Sequence, residues 1–493
     1  MKKFILSIDQ GTTSSRVILY DSKFNKIDSV KKELTQFFPK NGWVEHDALE
    51  IWHDVRDLLR KLIKKNKLSV SQILSIGITN QRETTVVWNK KTGRPINKAI
   101  VWQDRRTSSF CKKLKKKGLE KKIQKITGLV IDPYFSATKI RWILDNNRIS
   151  KKLIQSNNLL FGTIDTWLLW NLTRGRSHIT DITNASRTML FDAQKNQWSN
   201  DLLKTFKIPK SILPKVVDNV YDFGETKLFG DSIKIGGMAG DQQAATIGQA
   251  CFQPGQSKGT YGTGCFILMN IGSKFKLSTN KLLTTVAFKI GSKKMYCYEG
   301  SIFVAGSAVQ WLRDKLNFIK YSHQSDDLYS KANINENVII IPALTGLGAP
   351  HWKADARGAI FGLTRNTGIA EIVKATLDSI AYQTFDLVRC MQKDSKRKIK
   401  EMRVDGGMIN NNNFIQSLSN ILQIKIILPK DSETTALGAA YLAALSCGLI
   451  KSTTSIEKLW KSNKIVKPKI NKNKINKMIQ KWHHAINKLI KFS

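Results

Sequence analysis

The beginning of the chain alternates short apolar runs with polar turns. Apolar runs at 4–8 and 16–20 flank a glycine-centred turn at 10–12, and a third segment follows a turn near Ser22. Runs of this length between turn residues are typical of β-strands. The first part of the chain is therefore predicted to form a β-meander of three strands.

A helix and a further strand follow this meander. From residue 48 to about residue 64 the apolar residues recur along one broad face, which is typical of an amphipathic helix packed on a core. The apolar run at 74–78 then ends in a polar turn at 80–83. Strands that alternate with helices indicate an α/β fold with a mixed sheet.

The strand–turn–strand pattern recurs in the second half of the chain. Residues 255–270 repeat it, and a later strand ends in the VDGG of residues 404–407, just before a helix rich in Asn. Two such units predict two related domains, with mixed sheets flanked by helices, that face each other across a cleft. We expect an N-terminal domain of residues 1–250 and a C-terminal domain of residues 251–493. This boundary rests on the repeat, because no linker-like composition marks it.

The chain has a formal net charge of +42, which raises the question of an acidic partner. Such an excess is found in proteins that bind nucleic acids or membrane surfaces, and it also arises from a drift of composition toward Lys and Asn. The lysines are scattered, without an interleaved aromatic motif, a zinc finger or a basic zipper. We therefore expect no specific nucleic-acid binding, and only weak non-specific binding at low salt.

The cysteines and the longest apolar segments bear on the compartment. The six cysteines lie far apart and form no CxxC pair, so neither a zinc site nor a disulfide framework is indicated. Reduced thiols fit a cytoplasmic protein. The longest apolar stretch, 436–450, is shorter than the roughly 20 residues that span a bilayer. We therefore predict a buried helix there and no transmembrane segment.

The C-terminal segment has apolar residues at helical spacing from residue 475 onward, with lysines between them. Two interpretations remain open for this amphipathic pattern. One is binding to a membrane surface. The other, which we favour, is docking onto the second domain.

The segment DQGTTSSR, residues 9–16, is the first candidate for phosphate chemistry. A glycine followed by four hydroxyl residues in a tight turn offers backbone N–H groups and hydroxyls to phosphate oxygens. Asp9, at the end of a buried strand, is placed to hold Mg²⁺ through water, because Mg²⁺ retains much of its hydration shell. An ordinary hairpin turn is the alternative, and the GK[ST] sequence of a Walker loop is not present.

Two glycine-rich turns in the second half of the chain are further candidates. They are GTYGTG at 259–264 and DGG at 405–407. Each is a weak signal alone, since glycine turns are common in hairpins and at helix ends. Together with the first loop, they predict a clamp around one nucleotide.

Asp241 is the candidate general base. The segment AGDQQAA, residues 239–245, places this carboxylate after an apolar strand at the predicted domain interface. Phosphoryl transfer to an alcohol needs a carboxylate that accepts the hydroxyl proton. A second, compatible interpretation makes Asp241 the N-cap of a helix over 242–249.

Polar and aromatic residues at two strand ends are candidates for binding a polyol. NQRET at 80–84 and WQDRR at 102–106 supply Arg82, Glu83 and Trp102. Charged groups would bind the hydroxyls, and an apolar wall would pack on the carbons. For an isolated Arg–Glu pair a surface ion pair is the alternative, and for Trp102 a place in the core.

In order along the chain, these segments resemble the glycerol kinases, within the family of carbohydrate kinases built on the actin and hexokinase-type ATPase fold. The resemblance runs from about residue 4 to about residue 450 and is carried by DQGTTSSR, GWVEHD, NQRET, VWQDRR, DPYFSATKIRWILDN, GTIDTWLLW, TNASRTML, AGDQQAA, TYGTGCF, EGSIFVAGSAVQWLRD, GLGAPHW, RVDGG and TALGAA. NASRTML and the pairs Arg82–Glu83 and Asp241–Gln242 point to glycerol rather than to a pentose or gluconate.

The resemblance implies a role for each candidate residue. Glycerol would be bound by Arg82, Glu83, Trp102, Tyr134, Asp241, Gln242 and Phe266, with Trp102 and Phe266 on its carbons. ATP would be bound by Thr12, Thr13, Ser14, Arg16, Thr263, Gly306, Gln310, Gly407 and Asn411, the last of which belongs to a run of four Asn. Asp9 would organise Mg²⁺, and Asp241 would be the catalytic base.

The resemblance also implies direct in-line transfer of the γ-phosphate of ATP to glycerol, which yields sn-glycerol 3-phosphate and ADP in a cleft that closes to exclude water. A homodimer or homotetramer is expected. A related sugar kinase, such as a xylulokinase, and a non-catalytic scaffold of the same fold are the alternatives.

Two controls found in some bacterial glycerol kinases are expected to be absent. The segment that corresponds to the fructose 1,6-bisphosphate loop reads GETKLFGDSIKIG at 224–236 and contains no Arg, the residue suited to binding phosphate with two parallel hydrogen bonds. The second control is docking of a sugar-phosphotransferase protein through a bridging zinc. It needs a carboxylate near the C-terminus, and no Asp or Glu follows Glu457.

Overall fold

The computed structural model describes residues 2–333, 335–353 and 355–492. The strands are β1 (Phe4–Gln10), β2 (Ser14–Asp21), β3 (Lys26–Glu33), β4 (Glu45–His46), β5 (Ile73–Asn80), β6 (Val86–Asn89), β7 (Ala99–Ile100), β8 (Leu159–Gly162), β9 (Ile179–Asp181), β10 (Phe191–Asp192), β11 (Gln197–Trp198), β12 (Lys215–Val217), β13 (Glu225–Thr226), β14 (Ile233–Gly240), β15 (Ser257–Tyr261), β16 (Cys265–Gly272), β17 (Leu283–Ile290), β18 (Lys293–Ile302), β19 (Ile339–Ile341), β20 (Ala359–Phe361), β21 (Glu401–Asp405), β22 (Lys425–Pro429) and β23 (Ser462–Val466). The α-helices are α1 (Ala48–Lys65), α2 (Ser108–Lys116), α3 (Glu120–Thr127), α4 (Ser136–Asn146), α5 (Ser150–Gln155), α6 (Ile164–Leu172), α7 (Ile182–Ala185), α8 (Asn200–Phe206), α9 (Asp241–Gly248), α10 (Gly306–Asp314), α11 (Gln324–Lys331), α12 (Ile369–Ser395), α13 (Asn412–Leu422), α14 (Thr434–Ser446), α15 (Thr453–Leu459) and α16 (Lys472–Phe492).

The first large sheet is mixed and has the strand order β13-β14-β5-β1-β2-β3. Strands β14, β5 and β1 run parallel, and the β1–β2–β3 meander is antiparallel, as the sequence predicted. Side chains alternate between the two faces along β1. Leu6 and Ile8 pack in the core that includes α1 and α6, whereas Ile5 packs in the core that includes α14. The sheet is therefore covered on both faces.

Helix α1 forms where the amphipathic pattern predicted it. Asp47 caps its N-terminus by accepting hydrogen bonds from the backbone N–H groups of Leu49 and Glu50. Its buried face, which includes Ile51, Val55, Leu59 and Leu62, packs on the first sheet. The spacing of the apolar residues therefore predicted both the helix and the face that it buries.

The second large sheet repeats the connectivity of the first. Its strand order is β17-β18-β16-β15-β21-β22-β23. Strands β15, β21 and β22 run parallel, and β16 is antiparallel to both of its neighbours, β15 and β18. Strands β15 and β16 thus correspond to β1 and β2. The prediction of two related domains with mixed sheets is confirmed.

Two helices, α9 and α14, cross closely between the sheets. A Cβ added to Gly438 would lie 1.8 Å from the carbonyl oxygen of Ala244, and one added to Gly248 would lie 1.9 Å from that of Thr434. Glycine is therefore required at this crossing on steric grounds. The Ser7 hydroxyl donates to the Ala436 carbonyl at 2.7 Å, which ties α14 to β1. The buried helix predicted over 436–450 is confirmed as far as Ser446, where α14 ends.

The C-terminal helix α16 docks on the second domain. Trp482 is fully buried, stacks on Tyr382 with ring centroids 5.3 Å apart, and donates from Nε1 to Asp386 at 2.8 Å. Its neighbours Ile475 and Ile479 belong to the same core. The docking interpretation is thus confirmed. Throughout the described part of the chain, no helix is both long and apolar enough to cross a membrane.

Candidate active site

Arg82 is the centre of a buried ionic network between the two sheets. It follows β5, at the carboxyl end of a parallel strand, where α/β folds place their ligands. Its Nη1 and Nη2 donate to the two carboxylate oxygens of Glu299 at 2.6 and 3.0 Å, and its Nε lies 3.2 Å from Oδ1 of Asp241. Since Glu299 lies on β18, this two-bond pair joins the first domain to the second.

A second arginine completes the network. Arg187 donates from Nε to Glu83 at 2.6 Å and from Nη2 to Glu299 at 2.9 Å. Burial raises the pKa of Glu299, but the adjacent Arg187 and Arg82 outweigh it, so the pKa lies below its usual value. For Glu83 burial prevails over the same two arginines, and its pKa is raised. Glu83 also adopts a φ of 46°, a strained conformation for a residue other than glycine.

Two aromatic rings, Tyr134 and Phe266, border the Arg82 guanidinium, and Trp102 packs against both of them. Trp102 meets Tyr134 and Phe266 edge to face, with ring centroids 5.5 and 6.0 Å apart. The Tyr134 hydroxyl accepts from Arg82 Nη2 at 3.2 Å, and the guanidinium carbon lies 5.6 Å from the centroid of Phe266. The structure thus brings these predicted residues together, with charged donors beside an apolar wall. This chemistry suits a small polyol.

Asp241 is the first residue of α9 and not its N-cap. The cap is Gly240, which has an extended ψ of 151°, so the N-cap interpretation is wrong by one position. The Asp241 carboxylate accepts from the Gln242 N–H at 2.7 Å, and the first turn of a helix favours a negative charge. Its side chain is 30% exposed, which leaves it accessible to a ligand in the cleft. Gln242, next in the helix, is buried.

The DQGTTSSR segment forms the tight turn between β1 and β2. Gly11 N–H donates to the Ser14 carbonyl at 2.9 Å, and the Trp102 indole donates to the Thr12 hydroxyl at 2.8 Å. Thr13 is exposed at the tip of the turn. The turn therefore lies next to the aromatic wall.

Asp9 and Arg16 form an ion pair at the base of the same turn. Arg16 donates to Asp9 at 2.8 Å and to Glu433, in the loop before α14, at 2.5 Å. Burial raises the pKa of Asp9 despite the adjacent Arg16. Arg16, which the resemblance assigns to the phosphates, is thus engaged with two carboxylates from the two halves of the chain.

The remaining predicted residues lie on the second domain. The Thr263 carbonyl accepts from the N–H groups of Ala305 and Ser307, both at 3.0 Å, and the Gly306 N–H donates to the Gly262 carbonyl at 2.9 Å. The GTYGTG turn is therefore joined to the start of α10. Gln310 is exposed on the same helix.

Gly407 and Asn411 border this region from the turn after β21. Gly407 is exposed, and an added Cβ there would meet no atom within 4 Å, so the backbone is open to a ligand. Asn411 is the N-cap of α13 and accepts from the Phe414 N–H at 2.7 Å. Asn413, two residues later in the same run of Asn, donates to the Asp326 carboxylate from its backbone N–H and from its side-chain amide.

Sequence reasoning missed Glu299, Arg187 and Glu433 as site residues. Glu299 and Arg187 lie inside segments that carry the resemblance, EGSIFVAGSAVQWLRD and TNASRTML. A single carboxylate within the apolar run YCYEGSI of β18 was the local signal for Glu299, because a buried charge requires a partner. No local signal marks Glu433, which lies 417 residues from Arg16.

Comparison with known proteins places both halves of the chain in one family. Residues 4–248 match the N-terminal domain of the FGGY family of carbohydrate kinases, and residues 258–447 match the C-terminal domain of the same family. The xylulose kinase of Lactobacillus acidophilus, solved with a ligand, superposes with a TM-score of 0.88 at 24% identity, over 100% of both chains. At that identity the likeness concerns the fold.

Relatives of higher sequence identity show to which group within this family the chain belongs. The chain is 50% identical to a glycerol kinase of Treponema denticola over 100% of both proteins, and 49% identical to a glycerol kinase of Alkaliphilus metalliredigens over 100% of this chain and 99% of that one. It is 39% identical to the glycerol kinase of Plasmodium falciparum crystallised with ADP, with a TM-score of 0.92 over 99% of this chain and 98% of that one. The chain therefore belongs to the FGGY family of carbohydrate kinases and, within that family, to the glycerol kinases.

Proposed function

We propose that this enzyme transfers the γ-phosphate of ATP to a terminal hydroxyl of glycerol and releases sn-glycerol 3-phosphate and ADP. The observation that carries the proposal is the position of Asp241, which lies 3.2 Å from the buried guanidinium of Arg82 and opens the helix between the two sheets. Charged donors, a carboxylate and an aromatic wall meet there, beside the β1–β2 turn. That combination matches a polyol that receives a phosphoryl group.

Glycerol is bound by the Arg82 network. Arg82, Glu83, Tyr134, Asp241 and Gln242 supply its hydrogen bonds, while Trp102 and Phe266 pack on its carbons. Glu299 forms a buried ion pair with Arg82, and Arg187 forms one with Glu83. These two pairs hold Arg82 and Glu83 in place. The pocket is therefore formed before the substrate arrives, which lowers the entropic cost of binding.

ATP binds across the mouth of the cleft. Its phosphates meet Thr12, Thr13, Ser14 and Arg16 from the first domain, and the nucleotide meets Thr263, Gly306, Gln310, Gly407 and Asn411 from the second. The backbone N–H groups of the two glycine turns supply donors for phosphate oxygens.

Asp9 is the residue proposed to organise Mg²⁺. Among the described residues, Asp9 is bonded through Oδ2 alone, by Arg16, which leaves Oδ1 for a hydrated cation. A buried carboxylate with a raised pKa gains from a nearby positive charge, so the residues present fit the ion. When bound, Mg²⁺ supplies charge neutralisation at the β- and γ-phosphates.

The transfer step is a direct in-line displacement. The glycerol hydroxyl oxygen forms a bond to the γ-phosphorus, the bond from that phosphorus to the β–γ bridging oxygen breaks, and the hydroxyl proton passes to the Asp241 carboxylate. Arg82 holds that carboxylate through its Nε while its two other nitrogens are occupied by Glu299. Closure of the two domains keeps water from taking the phosphoryl group.

The same proposal includes a domain boundary near residue 250, a cytoplasmic location and a homodimer or homotetramer. The family matches end at residue 248 and resume at residue 258, which supports the boundary. All six cysteines are free thiols, which supports a reducing compartment. No specific nucleic-acid partner is proposed.

A coupled assay of ADP release, run with and without glycerol, tests the function. We expect ADP release to depend on glycerol and to be far weaker with xylulose, gluconate or water as acceptor. Preference for xylulose would instead support a related sugar kinase. Absence of acceptor-dependent release would support a non-catalytic scaffold.

A further inference from the structure

Lys258 is a buried lysine of the second sheet that none of the roles above uses. It lies on β15, and its exposed fraction is 0%. Strand β15 pairs with β21 so that Thr260 lies beside Asp405, and alternation along the strand puts Lys258 on the same face as Thr260. Burial lowers the pKa of Lys258, which shows that its charge is costly in this position.

The ammonium group of Lys258 contacts the residue that follows the proposed base. Nζ donates to Oε1 of Gln242 at 2.5 Å and to the Thr260 hydroxyl at 2.9 Å. An ammonium group only donates, so the oxygen end of the carboxamide must face it. The NH₂ end of Gln242 is then left to donate to a hydroxyl oxygen of a substrate. Without Lys258, the carboxamide would be free to present either end.

Lys258 differs from the arginines of the site in its partners. Arg16, Arg82 and Arg187 each face carboxylates. Within the described residues Lys258 forms no salt bridge, since both of its hydrogen-bond partners are neutral, and the carboxylates of Asp405 and Asp241 act on it from a greater distance. Hydrogen bonds to two neutral oxygens offset only part of the free-energy cost of burying a cation, so Lys258 is not expected to stabilise the fold. Its contact with Gln242 explains its position better.

Helix α9 is attached to the second sheet at both ends. Near its start, Gln242 is bonded to Lys258 on β15. Just after its end, the Gln249 carboxamide donates to Asp405, at the end of β21, at 2.7 Å. The helix that begins with the proposed base is therefore aligned by two contacts from the other domain.

We propose that Lys258 is a positioning residue for phosphoryl transfer, which fixes the Gln242 carboxamide from the second domain so that its NH₂ group meets glycerol. The inference rests on the proposed function, because it takes Gln242 to bind glycerol. Its consequence is that the glycerol site of the first domain is complete only when β15 lies against the start of α9.

The test is a double-mutant cycle in the ADP-release assay, with glycerol and ATP varied in turn. The variants are Lys258→Met, which leaves an unbranched side chain one atom shorter and removes the donors, Gln242→Ala, and the double variant. We expect Lys258→Met to lower kcat/KM for glycerol by about 30-fold and to leave KM for ATP within about 2-fold. The double variant should be no worse than Gln242→Ala, since Lys258 acts through Gln242.

Lys294→Met is the matched control. Lys294 lies on β18 of the same sheet and also donates to neutral oxygens, those of Ala193 and Asn196, outside the site. Its replacement should leave the kinetics unchanged. Lys258→Arg keeps a charged donor and should recover part of the activity lost in Lys258→Met. If the methionine variant does not fold, Lys258→Arg takes its place in the cycle with Gln242→Ala.

Losses that add in the cycle would overturn the inference, and so would a folded Lys258→Met variant with kcat/KM for glycerol within about 3-fold of wild type. If Lys258→Arg replaces the methionine variant in the cycle, losses that are additive with those of Gln242→Ala would overturn the inference in the same way. A wild-type chain without glycerol-dependent ADP release would refute the proposed function instead. The two failures are therefore distinguishable.

Discussion

The Nε of Arg82 lies 3.2 Å from Oδ1 of Asp241, so the proposed base is held by a residue that is itself held by Glu299 of the second domain. A carboxylate oriented by a guanidinium keeps one geometry, which is what proton acceptance from a bound hydroxyl requires. Each part of this relationship can be tested separately.

Asp241→Asn keeps the size of the side chain and removes the proton acceptor. We expect kcat to fall by about 10²-fold or more while glycerol still binds, because the amide retains hydrogen-bonding atoms. Steady-state kinetics and calorimetric glycerol binding measure the two effects. Asp201→Asn, which changes another carboxylate in the first turn of a helix, should leave kcat unchanged. A near wild-type kcat in Asp241→Asn would remove Asp241 from the base role.

Glu299→Gln leaves Arg82 and Arg187 buried with one carboxylate fewer. Breaking a buried ion pair costs about 3–5 kcal/mol, so the free energy of unfolding should fall by an amount of that order, and kcat/KM for glycerol should fall with it. Urea unfolding and the ADP-release assay check both. Asp314→Asn breaks the exposed pair with Arg313 and should change neither. Unchanged stability in Glu299→Gln would contradict the buried network.

Gly438→Ala tests the crossing of α14 with α9. Alanine favours a helix over glycine by about 1 kcal/mol, but the added methyl group would lie 1.8 Å from the Ala244 carbonyl oxygen. We expect the steric effect to prevail and the free energy of unfolding to fall by about 3 kcal/mol or more. In Gly368→Ala the new Cβ meets only the flexible carboxylate of Glu371, and little loss is expected. Equal stabilities of the two variants would count against a tight crossing.

His178 is expected to make stability depend on pH. Burial lowers its pKa from 6.5 to about 4, so between these values the unfolded chain binds more protons than the folded one. The free energy of unfolding therefore falls as the pH is lowered through this range, by up to about 3 kcal/mol for this group. In His178→Gln this part of the decline should disappear, as measured by urea unfolding from about pH 7 to about pH 5. An unchanged slope in His178→Gln would contradict this role of His178.

Fructose 1,6-bisphosphate is not expected to inhibit the enzyme. The 224–236 segment has no Arg, and its Lys227 lies 3.5 Å from the Glu225 carboxylate, which competes for the charge. Activity titrated with the bisphosphate to about millimolar concentration should stay constant. Saturable inhibition that Lys227→Ala or Lys234→Ala relieves would show that the segment still binds it.

Local patterns were sufficient to predict the meander, α1, the repeat and the burial of α14, because each depends on residues close in sequence or on one period of apolar positions. They were not sufficient for the ionic network. Arg82 and Glu299 are 217 residues apart, and no feature of either segment specifies the other. The N-cap prediction for Asp241 failed by one residue for a related reason. Gly240 supplies the extended conformation at that point, and helix ends depend on such local details.

The face of β1 that carries Ile5 and Ser7 is covered by α14, a helix from the other end of the chain. On the ribosome, β14 is complete at Gly240 and α14 only at Ser446, about 200 residues or roughly 10 to 40 s later at typical rates of synthesis. For that interval the nascent sheet has one apolar face without its cover. The chain therefore places a demand on chaperones that two self-contained halves would not make.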